Sequence, residues 1–142
     1  MRKELRERLA SEYRYAVTKM QEVKPYPKKL FYFSVFFSEA QRLQNWEWDS
    51  NLALIHIVAQ QVHMQINSAM QNPAIGQVLP IDWAKVYDKL TIVANDLAVY
   101  YEKTKERDNQ EGLCNILGRL VEISFAVSGH GSYLHEKGTF KY

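Results

Sequence analysis

The feature that most constrains the fold is a long helical repeat between Asp49 and Gln71. Its apolar residues recur at alternating spacings of three and four, which is the pattern of one buried helical face. They are Leu52, Ile55, Ala59, Val62, Ile66 and Ala69. Asp49 or Ser50 can cap the first turn, and Pro73 ends the helix because it displaces the preceding residue from helical geometry. We predict a helix over 49–71 at the centre of the fold, with neighbours on several sides.

Four further segments show a helical pattern, and we predict helices over 2–23, 30–48, 81–107 and 109–127. Within the second of these, the aromatic residues of 30–37 also suit a strand. No other segment offers a convincing strand to pair with, so helix is the better interpretation. The two prolines of 24–29 predict an extended hinge. The fold class that follows is all-α, an antiparallel helical bundle of about five helices.

The length of the chain, 142 residues, suits one domain that buries roughly two-thirds of its unfolded surface. Hydrophobic residues at 46% and charged residues at 24% are ordinary globular values. We predict a single helical-bundle domain over 1–142. Three glycines change the character of the C-terminal tail, 128–142, and we expect it to pack over the bundle or to be partly disordered.

A single cysteine, Cys114, excludes an intrachain disulfide and fits a reducing compartment. It lies beside an apolar stripe, so we expect it to be buried. The N-terminal residues are too charged for a signal peptide, and no apolar run approaches the ~20 residues that span a bilayer. We therefore expect a cytoplasmic protein without membrane contact.

A second stripe on the 49–71 helix is polar and is formed by His56, Gln60, His63 and Asn67. The two histidines lie about two turns, or roughly 10.5 Å, apart along the helix, which is too far for them to share one zinc ion. We therefore predict no metal site. The stripe is either a polar seam whose side chains bond to adjacent helices or the wall of a ligand-binding pocket.

Charge is distributed unevenly: residues 1–48 carry ten Lys or Arg against six Asp or Glu, while the remainder carries eight against ten. The candidates for contact with nucleic-acid phosphates are Arg2, Arg6, Lys28 and Lys29. Glu4, Glu7 and Glu12 interleave with the basic residues of the first helix. A solvated face of mixed charge is therefore the simpler interpretation of that helix.

The 30–48 segment holds the greatest density of aromatic residues in the chain. One helix of a small monomer cannot easily bury all of them, so some are expected to face another subunit or a ligand. The interface candidates are Phe31, Tyr32, Phe36, Trp46 and Trp48.

The sequence lacks the metalloprotease, di-iron, phosphate-loop and dinucleotide motifs, so we name no catalytic residue and no cofactor. Whether the chain is an enzyme stays open, with a non-enzymatic protein favoured. The leading hypothesis is an interaction or assembly subunit that forms a homo-oligomer or binds a protein partner through its aromatic-rich helical surface. The alternatives are a nucleic-acid-binding protein that uses its basic N-terminal half and a small-molecule-binding bundle with a histidine-lined pocket.

Overall fold

The computed structural model describes residues 2–72, 81–103 and 109–128, which form six helices and no strand. The helices are α1 (Lys3–Glu22), α2 (Tyr26–Phe33), α3 (Val35–Gln44), α4 (Ser50–Gln71), α5 (Trp83–Lys103) and α6 (Gln110–Val127). This confirms the predicted all-α fold.

Five of the described helices form a ring, in the order α1, α3, α4, α6 and α5, in which each helix packs against two neighbours. Helix α2 packs mainly on α1 and also touches α3, α4 and α5. Neighbours such as α1 and α5 run antiparallel. The guanidinium of Arg6, near the start of α1, lies over the ring of Tyr101 near the end of α5, whereas Tyr26, which follows the end of α1, stacks on Tyr87 near the start of α5. One hydrophobic cluster takes residues from all six helices.

Helix α4 begins and ends where the sequence predicts. The Asp49 carboxylate accepts a hydrogen bond from the Leu52 backbone N–H at 3.0 Å, and all six residues of the predicted seam are buried. Its predicted place at the centre of the fold is confirmed only in part. Helix α4 packs mainly on α3 and α6, and Ile57 on its outer side is 63% exposed. It is one member of the ring; outside the seam, Leu54 and Val58 are partly buried against the core, whereas Ile57 faces outward.

The aromatic segment is helical, which excludes the strand alternative, but it forms two helices rather than one. Helix α2 begins at Tyr26, inside the predicted hinge, because Pro27 in a first turn loses no hydrogen bond. The break falls at Ser34, whose hydroxyl donates to the Phe31 carbonyl. Hydroxyl bonds of this kind compete with the helical ladder and bend helices.

The last two helices follow their predicted patterns and begin at Trp83 and Gln110, two residues and one residue after the predicted starts. The Asn109 side chain caps α6 by accepting from the Gly112 N–H at 3.0 Å. Cys114 is exposed, so the prediction that it is buried is wrong; it lies beside the apolar stripe of α6 but on the solvent side. Segments 73–80 and 104–108, and the predicted tail after Ser128, lie outside the described residues.

Candidate functional site

A groove of about 390 Å³ lies between α2 and the second half of α4. Its walls are formed by Pro27, Leu30 and Phe31 from α2 and by His63, Asn67, Met70 and Gln71 from α4. The proline in the first turn of α2 starts that helix early enough to place Phe31 at the groove beside α4. None of these lining residues carries a formal charge unless His63 is protonated.

His63 is half-buried in the wall, with its ring edge against Phe37 at a centroid distance of 5.3 Å. Burial lowers the pKa of His63, because a desolvated imidazolium is less stable than one in water. The imidazole is therefore neutral at pH 7 and offers one donor nitrogen and one acceptor nitrogen. It adds polarity to the groove without adding charge.

Two amide groups and a thioether complete the wall that α4 provides. The Gln71 amide donates to the Asn67 side-chain oxygen at 3.2 Å, which leaves the Gln71 oxygen free to accept from a ligand. The Tyr87 hydroxyl donates to the Met70 sulfur at 2.8 Å and holds that side chain in place. The groove thus combines an apolar floor with hydrogen-bond acceptors and has an exposed aromatic ring, Phe31, at its edge.

The structure divides the predicted polar stripe of α4. His63 and Asn67 line the groove, whereas His56 and Gln60 are not among its lining residues. Within residues 2–72, 81–103 and 109–128, no three His, Cys, Asp or Glu side chains lie close enough together to hold a metal ion. As a ligand site, the stripe is therefore reduced to its second half.

The four candidates for phosphate contact do not form one surface. Arg2 and its bonds to Glu47 lie at the start of α1, while Lys29 donates to the Met20 carbonyl at the end of that helix, roughly 27 Å away. Arg6 is only 8% exposed, so its guanidinium cannot reach a phosphate without leaving the core. Lys28 is exposed beside Lys29 in α2, far from Arg2 at the start of α1.

The five aromatic interface candidates fall into three groups. Phe36 is fully buried against Tyr13, so it belongs to the core and not to an interface. Tyr32 is partly buried, and Phe31 is 63% exposed at the groove. Trp46 and Trp48 are 73% and 76% exposed in the turn between α3 and α4.

The sequence prediction missed the outer face of α4. Charged residues make up 24% of the chain, yet α4 contains no Asp, Glu, Lys or Arg in its 22 residues. Opposite the buried seam runs an outer stripe with alternating spacings of four and three: Ala53, Ile57, Gln60, Met64, Asn67 and Gln71. Ile57 and Met64 in this stripe are 63% and 57% exposed. The signal was readable from the sequence as a charge-free helix whose second stripe keeps the spacing of the first.

Comparison of the chain with protein-family models, with curated proteins and with solved structures gives no match. None of the helices in the described part of the chain is long and apolar enough to cross a membrane. The arguments that follow therefore rest on the geometry of the groove and of the outer stripe.

Proposed function

We propose that this protein is a non-enzymatic assembly subunit that forms a homodimer through the outer stripe of α4. The observation that carries the proposal is a helix that lies on the surface and yet has no charged residue over its whole length. Charged residues are depleted in the cores of protein interfaces. A surface helix in contact only with water has no physical reason to avoid them.

A second copy of this chain fits the stripe better than an arbitrary partner does. Alternating spacings of three and four are those of helices that pack along one another in coiled coils. Because the stripe is uncharged, two copies can meet without repulsion between like charges and without desolvating an ion. Two-fold symmetry requires such a self-complementary surface.

Burial of Ile57 and Met64 supplies the driving force. Complete burial of a side chain of this size contributes about 1.5–3 kcal/mol, and these two are already partly covered, so about 1 kcal/mol each is a reasonable contribution. Four such side chains in a dimer give about 4 kcal/mol, which must be supplemented by further contacts for stable association. Two exposed aromatic residues near the ends of α4 are candidates for these further contacts. Trp48 lies just before α4, and Phe31 lies at the groove beside its second half. The lone cysteine supports a cytoplasmic setting for this assembly.

The test is the solution mass of the protein and of an Ile57→Lys variant, measured by light scattering after size-exclusion chromatography. We expect the parent chain to be dimeric and Ile57→Lys to be monomeric, because the lysine would be desolvated in the contact. Ile92→Lys is the matched control, since Ile92 on α5 is similarly exposed at 59% but lies off the stripe. A monomeric parent chain, or equal loss of mass in both variants, would refute the proposal.

A further inference from the structure

We infer that Trp48 of each copy occupies the groove between α2 and α4 of the other copy. The inference rests on the proposed α4 dimer and goes further by assigning the groove an occupant. The partner copy would thereby contribute a residue to a site that the single chain leaves open. Three independent features support this assignment: position along α4, shape and chemistry.

Position follows from the helix itself. The midpoint between Ile57 and Met64 is also the midpoint between Ser50 and Gln71, the first and last residues of α4. A two-fold axis there places each end of α4 about 16 Å from the axis, beside the opposite end of the partner helix. Trp48 precedes the first residue of α4 by two positions, and the groove is lined by residues of its second half. Antiparallel packing therefore places Trp48 two residues beyond the level of the partner's Gln71, so that an indole directed back along α4 reaches the end of the groove that Gln71 lines.

Shape favours the antiparallel arrangement over the parallel one. Helix α4 has a protruding aromatic residue before its first turn, Trp48 at 76% exposure, and a concave groove of about 390 Å³ near its last turn. In a parallel pair, protrusion would meet protrusion and groove would meet groove. In an antiparallel pair each protrusion meets a groove, and the opposed helix dipoles are also aligned favourably.

The chemistry of the groove matches an indole. An indole has a large apolar ring and one N–H donor, with no acceptor and no charge. The groove offers an apolar floor at Leu30 and Met70, the ring of Phe31 for an aromatic contact, and acceptors in the Gln71 oxygen and the neutral imidazole of His63. Aromatic pairs of this kind favour offset or edge-to-face contacts. Tryptophan is also one of the residue types enriched among those that dominate binding energy at interfaces.

The experiment follows Trp48 directly in a protein that carries Trp46→Phe and Trp83→Phe, so that Trp48 is the only tryptophan. Two quantities are measured on the same samples: the mass by light scattering and the quenching of tryptophan emission by acrylamide. The samples span protein concentrations above and below the dissociation constant of the dimer. We expect dimerisation to shift the emission to shorter wavelength and to reduce quenching at least about threefold, because the indole leaves water. The matched control keeps Trp46 as the only tryptophan and should remain equally quenchable in both states.

Two variants test the assigned contact. Phe31→Lys in the groove should restore quenching of Trp48 and weaken dimerisation by about tenfold or more, as expected for loss of a dominant interface contact. Ile57→Lys combined with Met64→Glu should restore the dimer that Ile57→Lys alone loses. In the antiparallel arrangement each lysine faces a glutamate of the other copy, whereas in the parallel arrangement like charges meet.

The outcomes separate the two proposals. A dimer in which Trp48 is quenched as in the monomer would overturn the groove assignment and leave the α4 dimer intact. The groove assignment is also overturned if the double charge variant stays monomeric while the parent chain is dimeric. A parent chain that remains monomeric at all concentrations would overturn the dimer itself and the groove assignment with it.

Discussion

Two buried tyrosines make the stability of the fold sensitive to alkaline pH. Tyr13 and Tyr101 are 0% and 1% exposed, and their rings pack edge to face at a centroid distance of 5.9 Å. Burial is the main reason that the pKa of each phenol is raised, and the nearby carboxylates of Glu39 and Asp49 raise them further. The folded protein therefore retains protons that the unfolded chain releases.

The magnitude follows from proton linkage. An unfolded tyrosine ionises with a pKa of about 10, so the contribution of each buried phenol to stability is complete below that pH and is lost above it. At pH 11 the loss is about 1.4 kcal/mol for each tyrosine, or about 2.8 kcal/mol for the pair. Domains of this kind have a total stability of about 5–15 kcal/mol, so the effect is measurable.

The assay is urea unfolding followed by circular dichroism at pH 8 and pH 11, for the parent chain and for Tyr13→Phe. At pH 8 the variant should lose about 1 kcal/mol, because the Tyr13 hydroxyl no longer donates to the Phe36 carbonyl at 3.0 Å. Between pH 8 and pH 11 it should lose about 1.4 kcal/mol less than the parent chain does. Lysine ionisation affects both proteins alike and cancels in this comparison.

The control is Tyr15→Phe, which removes a hydroxyl from a side chain that is 51% exposed. Its stability should change between the two pH values by the same amount as that of the parent chain. The argument fails if the stability of Tyr13→Phe falls between pH 8 and pH 11 as much as that of the parent chain. Folding would then not raise the pKa of Tyr13.

Two further predictions concern the framework of the bundle. Val62→Asp places a carboxylate at a fully buried position of the α4 seam and should abolish the cooperative thermal unfolding transition seen by circular dichroism; a retained transition near that of the parent chain would contradict the seam. Asn109→Ala removes the side-chain cap of α6 and should lower the free energy of unfolding in urea by about 1 kcal/mol. Gln110→Ala, one residue later and exposed, is its control and should stay within about 0.5 kcal/mol of the parent chain.

The sequence predicted the parts of the fold that depend on neighbours in the chain. The seam of α4 follows from spacing alone, and residue type at the helix start limits its cap to Asp49 or Ser50, of which the structure shows Asp49. The break at Ser34 was not predictable in the same way. Serine is tolerated inside helices, and only its hydroxyl bond to the Phe31 carbonyl reveals that it divides α2 from α3.

The candidate site was harder to predict because it depends on contacts between distant segments. Arg6 appears exposed in a pattern of mixed charge, yet the ring of Tyr101 from α5 covers it. The groove exists only because α2 lies beside α4, so the joint role of Phe31 and His63 could not be derived from the spacing of either helix. The outer stripe of α4 was different, since its lack of charge is visible in the sequence.

The ring arrangement has a consequence for folding during synthesis. Helix α1 packs on α5, and Arg14 bonds to Glu102, which lies 88 residues further along the chain. At a synthesis rate of roughly 5–20 residues per second, the N-terminal helix waits about 4–18 s for this partner to emerge from the ribosome. The adjacent helices α3 and α4 can pair during that interval. Closure of the ring is thus a late event, and until then the part of α1 that packs on α5 is available to chaperones.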